Sequence, residues 1–190
     1  QKDLEKDIEL LNSQVERCNE ILKRLTLNPV EEDEFIDKDI NIRDYLHEII
    51  SSFKEISKKE FVFNFDQDSN PKKISKSIEI VYGLRNFIGN ANKFAKNSIF
   101  INLKSDSEFT EITVEDDGNG YPRDIISKIG EPYLKSNYSK DKSKEGLGLG
   151  LFIGKTLLEK NFASVNCRNS KTRSGAEVII RWKNKELFNI

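Results

Sequence analysis

The chain has 190 residues, 33% of them charged and 36% hydrophobic, with a formal net charge of −1 at pH 7. That length suits one domain of ordinary size with an appendage. The balanced charge leaves no basic footprint for nucleic acid and no excess to hold an anionic membrane, and no run of about eighteen apolar residues is present to cross one.

From the N-terminus, Leu4, Ile8, Leu11, Val15, Cys18, Leu22 and Leu25 alternate in spacings of four and three, the seam of a coiled-coil helix over 2–27. Charged residues such as Lys2, Glu5, Lys6, Glu16 and Arg17 fill its outer face. A seam left in water needs a partner, so a helical hairpin in a dimeric bundle is the expected setting. Cys18 occupies a seam position, as a small apolar filler or as a thiol facing its symmetry mate and open to oxidation. The two cysteines, Cys18 and Cys167, lack zinc-site spacing and are too few for a disulfide framework. Asn28-Pro29 ends the helix, and the acidic stretch Glu31–Glu34 marks a boundary. The expected partition is therefore 1–28, a linker over 29–37, and a globular domain over 38–190. Opening in mid-helix without Met or signal peptide, the chain reads as a cytoplasmic piece of a longer protein.

A second helix is expected over 42–56, burying Ile42, Tyr45, Leu46, Ile49, Ile50 and Phe53. His47, the only histidine, falls on the wet face. His47-Glu48 has the dipeptide of a phosphoacceptor, but Ile49-Ile50-Ser51-Ser52 follows without the proline, so His47 reads as a surface residue. Phe61–Phe65 alternates as a strand, and a polar turn at Asn70-Pro71 leads into a helix over 75–95. There Leu84, Phe87, Ile88, Ala91 and Phe94 form a buried face, and Asn86, Asn90 and Lys93 form a polar stripe beside it. Two amides and an ammonium one turn apart suit a hard cation and a phosphate; the plainer alternative is a core helix with a wet side.

Residues 98–104 and 110–115 read as a hairpin that runs into Asp116-Asp117-Gly118-Asn119-Gly120. A carboxylate at a strand end accepts an exocyclic amine, and two glycines let the backbone turn beside a flat base; a simple turn is the alternative. A short helix over 123–129 and the segment Gly130–Lys135 follow. The lysine-rich stretch 135–145 is a solvated loop or a lid. Gly146-Leu147-Gly148-Leu149-Gly150-Leu151 opens a helix over 149–160 and exposes backbone N–H groups to an anion. It matches neither the GxxxxGK(S/T) phosphate loop nor the dinucleotide fingerprint. Strands over 164–168 and 176–182, turned by Ser174-Gly175-Ala176, finish the sheet.

In this order, NFIGNANKF, DDGNG, the Pro-Tyr segment, the polar lid, GLGLGL and SGA resemble the catalytic, ATP-binding domain of sensor histidine kinases, within the GHKL superfamily. The resemblance covers roughly residues 38–183. It implies a two-layer α/β (α+β) sandwich, the Bergerat ATP-binding fold, with a mixed five-stranded sheet and helices on one face. In that fold Asn90 would hold Mg²⁺ bridging the phosphates of ATP, with Asn86 assisting and Lys93 meeting phosphate. Asp116 would accept the adenine amine while Gly118 and Gly120 shape the base pocket. Gly146, Gly148 and Gly150 would hinge the lid and contact phosphate. Lys135 ends the Pro-Tyr segment where many kinases carry Arg, placing a point charge instead of a fork near the γ-phosphate.

Chaperone, mismatch-repair and gyrase members place a water-activating Glu where Asn86 stands. Asn takes no proton at neutral pH, so the implied chemistry is phosphoryl transfer. LLNSQVERCNEIL, with GEPYLKS and GLGLGLFIGKTLLE, resembles the RegB/PrrB/ActS redox-responsive sensor kinases, whose redox-responsive cysteine lies where Cys18 does. By the same resemblance the phosphoacceptor histidine belongs to a preceding helix outside this chain. The implied activity is transfer of the ATP γ-phosphoryl group to that histidine, then relay to an aspartate of a response regulator. The intact protein would be a homodimer through the N-terminal helix, anchored in the inner membrane by preceding segments. A GHKL-type ATPase and a non-catalytic dimerisation scaffold are the alternative expectations.

Overall fold

The computed structural model describes residues 40–66, 73–74, 77–134 and 149–187. Contacts divide the chain into two units, Gln1–Ile36 and Asp37–Ile190, and every described residue belongs to the second. The expected seam helix with Cys18, the linker, the turn at Asn70-Pro71 and the polar stretch 135–145 lie outside the described residues.

Strand β1 (Ile40–Asn41) pairs antiparallel with β3 (Lys73–Ile74) in a small separate sheet. Helix α1 (Ile42–Lys54) begins at Asn41, whose side chain accepts the Arg43 N–H at 2.9 Å, the bond an N-cap provides. Its residues Ile42, Tyr45, Leu46, Ile49 and Ile50 are buried, as their spacing requires. In β2 (Glu60–Phe65), Phe61, Phe63 and Phe65 share a face by the two-residue period. Phe53 of α1 stacks on Phe61, His47 meets Phe63 edge-on at 5.1 Å, and Arg43 lies 4.6 Å from the Phe65 ring. His47 is exposed, as the wet-face reading has it.

Helix α2 (Ile78–Phe94) is capped by Ser77, which accepts the Ile80 N–H, and buries Ile80, Leu84, Phe87 and Ile88. At its C-terminal end the Lys59 ammonium donates to the carbonyls of Asn92 and Lys93, a cation where the helix dipole favours one. Strands β4 (Ser98–Ser105), β5 (Phe109–Asp116), β6 (Ser164–Asn169) and β7 (Ala176–Lys183) join β2 in a five-stranded sheet of order β2-β4-β5-β7-β6. Only β2 and β4 run parallel, so the sheet is mixed, as expected.

One face of this sheet, with Ile99, Ile101, Leu103, Ile112, Val114, Val178, Ile180 and Trp182, is buried. Against it lie α2 and α3 (Gly150–Lys160). These two helices approach closely because Gly83 faces Leu158: a Cβ at Gly83 would come within 2.6 Å of the Leu158 side chain. The opposite face is charged, with Arg173 paired to Glu115 and Arg168 to Glu177. The helix expected over 123–129 is only a 3-10 turn, Ile126–Lys128, closed after Pro122 by N–H groups reaching back to its carbonyl. A short helix α4 (Asn184–Leu187) ends the described chain and has no counterpart in the sequence reading.

Candidate functional site

The polar stripe of α2 comes together with the start of α3. The Asn86 amide donates to the Tyr82 carbonyl at 2.8 Å, the carbonyl four residues earlier in its own helix. That bond fixes Nδ2, so Oδ1 turns towards α3. A Cβ at Gly150 would stand 3.5 Å from Asn86 Oδ1 and 3.3 Å from Asn90 Nδ2. Asn90 Nδ2 is buried with no hydrogen-bond partner among the described residues, and an unpaired buried amide is costly. Turning the amide over exchanges its oxygen and nitrogen, so this position can present either to a ligand. Leu149 stands at the N-cap of α3 and makes no side-chain cap bond; the first-turn N–H groups of a helix have no partner within it and favour an anion.

One turn further along α2, roughly 5.4 Å, the helix meets the end of β5. The Phe94 carbonyl lies against Gly118, where a Cβ would also be 2.7 Å from Asp116 Oδ1. Asp116 is buried, and Oδ1 accepts the N–H groups of Gly118 at 2.8 Å and Ala176 at 3.3 Å. Burial raises its carboxyl above the ordinary aspartate range, against the opposing pull of those two N–H bonds. Asp117 differs. Its carboxylate takes the Lys96 N–H at 2.7 Å and the Asn97 N–H at 3.0 Å, tying the segment after α2 to the end of β5. Burial would raise it, but backbone bonds from Asn97, Ser98 and Lys96 outweigh that and hold it below the usual range.

Asp116 also meets the turn between β6 and β7. A Cβ at Gly175 would collide with the Asp116 carbonyl and stand 2.5 Å from Asp116 Oδ1, so only glycine fits. Gly120 adopts φ +72°, with Asn169 packed where a side chain would go. The structure therefore gathers Asn86, Asn90 and Gly150 in one group and Asp116, Gly118 and Gly120 in another, both against the C-terminal half of α2. Lys93 is half-buried, its ammonium 5.4 Å from the Phe94 ring centre. Lys135, Gly146 and Gly148 lie outside the described residues. Sequence reasoning took Ser174-Gly175-Ala176 for a turn and for the last motif of the resemblance but missed its contact with Asp116; it also passed over Asn169 and the role of Asp117.

A nucleotide with a divalent cation fits these residues. The unpartnered Asn90 Nδ2, the N-terminal turn of α3 and the glycine-only backbone round Asp116 are features that would suit such a ligand. Among the described residues no cluster of His, Cys, Asp and Glu suits a metal ion, so a cation here would rest on amide oxygen and phosphate.

A mixed sheet under two close helices, with paired amides on one helix and a buried carboxylate at the end of a strand beside it, defines the GHKL class of ATP-binding domain. The chain belongs to the histidine kinase-, DNA gyrase B- and HSP90-like ATPase family, whose model matches residues 75–186. Within that family it is similar to the sensor histidine kinase RegB of Cereibacter sphaeroides, 31% identical over 175 residues, or 88% of this chain. The chain spans only 37% of the length of that relative. Among solved structures, the catalytic domain of histidine kinase ThkA matches with a TM-score of 0.63 and 21% identity, over 76% of this chain and 95% of that one. Full-length ShkA, solved in complex with AMPPNP, matches with a TM-score of 0.66 and 20% identity, over 92% of this chain and 36% of that one. These two likenesses show the fold: the described region folds as the catalytic domains of histidine kinases do.

Proposed function

We propose that residues 38–190 form the ATP-binding catalytic domain of a two-component sensor histidine kinase that phosphorylates a histidine outside this chain. On this reading 1–28 is the second helix of the dimerisation hairpin and 29–37 is the linker. The observation that carries it is the buried, unpartnered Asn90 Nδ2 together with Asn86 Oδ1, both against Gly150 at the N-terminal end of α3. Bound Mg²⁺-ATP supplies the γ-phosphoryl group and the metal charge that steadies it. The chain supplies position: Asn90 and Asn86 hold the metal side, the first turn of α3 faces phosphate, and Asp116 accepts the adenine amine.

Asn86 also argues for transfer over hydrolysis. It takes no proton at neutral pH, and its Nδ2 is already committed to the Tyr82 carbonyl, so it cannot activate water. Phosphate relay to a response regulator, homodimerisation through 1–28, a redox role for Cys18 and anchoring by preceding membrane segments complete the reading. Among the described residues no helix is long and apolar enough to cross a membrane.

Calorimetric titration of Mg²⁺-ATP and Mg²⁺-ADP into this chain tests the site. Wild type should bind, and Asn90→Ala should lose magnesium-dependent binding; unchanged binding in that variant would sink the assignment. Steady phosphate release without a protein acceptor would point instead to an ATPase.

A further inference from the structure

We propose that Asn169 is a positioning residue for the base pocket, holding the Gly118–Tyr121 segment so that Asp116 keeps its orientation towards an adenine amine. The inference rests on the nucleotide reading above and deepens it. Asn169 ends β6, and its side chain is doubly bonded to one residue of the glycine loop. Oδ1 accepts the Tyr121 N–H at 2.6 Å, and Nδ2 donates to the Tyr121 carbonyl at 3.1 Å. A planar amide bonded to both backbone groups of one residue acts as a short piece of strand. It fixes the loop's register as well as its distance.

The position of this clamp gives it consequence. Asp116 Oδ1 ties the same loop to the neighbouring strand, through the N–H of Gly118 on the loop and the N–H of Ala176 on β7. Gly175 is pressed on Asp116, and the Gly175 carbonyl accepts the Ser170 N–H at 2.8 Å, just beyond Asn169. The Ser170 hydroxyl in turn donates to Glu115 at 2.8 Å, and Arg173 pairs with Glu115 while lying 3.5 Å from the Phe100 ring centre. The β6–β7 turn is thus held from the outer face of the sheet, and Asn169 transmits that fixed position to the loop. Gly120 lies between them: a Cβ there would be 2.7 Å from Asn169 Oδ1 and 3.3 Å from the Gly175 carbonyl. Without the amide the loop has room to swing, and the Gly118 N–H moves off Asp116 Oδ1. Asn169 touches no reacting atom and acts through Asp116.

The test compares Mg²⁺-ADP with Mg²⁺-IDP, which carries a carbonyl in place of the adenine amine, by calorimetric titration of the whole chain. Asn169→Ala should weaken ADP about tenfold and leave IDP nearly unchanged, so the preference for ADP collapses. Asn169→Asp, which keeps the acceptor for the Tyr121 N–H and loses the donor, should fall between and guards against a misfolded alanine variant. Equal losses for ADP and IDP would mean a merely structural clamp and would overturn the proposal. If Asp116→Ala loses ADP while Asn169→Ala binds as wild type, the proposal alone falls. If wild type binds neither nucleotide, the nucleotide reading falls and this inference with it.

Discussion

Exchanging Asp116 for Asn removes a charge that burial disfavours, yet leaves an oxygen for the N–H groups of Gly118 and Ala176. The Asp116 carboxyl is raised in the fold, so the folded chain binds the proton more tightly than the unfolded chain and the ionised form costs stability at neutral pH. Asp116→Asn should therefore melt above wild type at pH 7. That gain should shrink as pH falls through the raised folded value and vanish below the ordinary aspartate range. The same variant should bind ADP roughly ten- to hundredfold more weakly, the worth of one hydrogen bond to a charged group. Asp117 carries the opposite sign. Its folded value is lowered, so its contribution is present above the unfolded value and is lost as pH falls through the folded one. Asp117→Asn should cost about 1 kcal/mol at pH 7, discounted for its exposure to solvent, and nothing in strong acid. Thermal melts of both variants between pH 3 and 8 should diverge at the neutral end and converge at the acid end; parallel shifts would refute the assignment. Sequence made Asp116 a candidate by its place at the end of a strand. The contrast with Asp117 is set by which backbone N–H groups fold back onto each carboxylate, and an Asp-Asp pair does not encode that in its letters.

Helix α3 ends in a motif whose usual occupant is absent. Ala163 N–H reaches the Leu158 carbonyl at 3.0 Å and Phe162 N–H reaches the Glu159 carbonyl at 3.1 Å, the two bonds of a Schellman cap. The left-handed position between them, φ +61°, is held by Phe162 with its ring 58% exposed, so little packing offsets the strain. Phe162→Gly should stabilise the fold by roughly 0.5–1 kcal/mol, read as a melting temperature a few degrees higher; a lower one would mean that the ring is held by contacts worth more than the strain. At the other end of the sheet, Thr110 Oγ1 sits between Ser105 Oγ at 2.9 Å and Asn184 Oδ1 at 2.7 Å, and Asn184 Nδ2 donates to the Asp106 carbonyl at 2.8 Å. All three side chains are buried, and the network ties α4 to the β4–β5 hairpin. Thr110→Val should cost about 1–3 kcal/mol in denaturant unfolding, because it strands the Asn184 oxygen without a donor; an unchanged midpoint would show that water replaces the hydroxyl. The long elements were legible because burial on one side imprints a period, 3.6 on α1 and α2 and two on β2, β4 and β5. Strands β1 and β3, two residues each, and the four-residue α4 are too short to carry a period. The 3-10 turn after Pro122 replaced a predicted helix because closure was set by Pro122 and not by a periodic face.

At the scale of the molecule, the order of motifs along the chain announced the class, whereas the contact of the Ser174-Gly175-Ala176 turn with Asp116 follows only from the pairing of β6, β7 and β5. The same pairing decides how the two cysteines share any oxidative chemistry. Cys167, half-buried, lies on the edge strand β6, near enough to the half-buried Tyr121 for the hydroxyl and the thiol to shift one another's proton affinity. Burial pushes the Cys167 thiol up to about 11, although the Lys155 charge and the Tyr121 bond pull it down. Against the ordinary thiol this leaves roughly a hundredth of the thiolate at neutral pH, and the thiolate is the species that reacts. Iodoacetamide at pH 7.5 should therefore label Cys167 at least tenfold more slowly in the folded chain than in urea, followed by mass spectrometry of the peptides. Any oxidant-dependent dimer should survive Cys167→Ala and disappear in Cys18→Ala, with ADP affinity unchanged in the latter. If cross-linking instead followed Cys167, its thiol would have to be ionised in spite of its burial. To reach a second copy the half-buried thiol would also have to come away from Tyr121, and since Tyr121 is clamped by Asn169, such a dimer would disturb the base pocket and weaken ADP. The two outcomes are thus separated twice, by which variant loses the dimer and by whether oxidation changes nucleotide affinity.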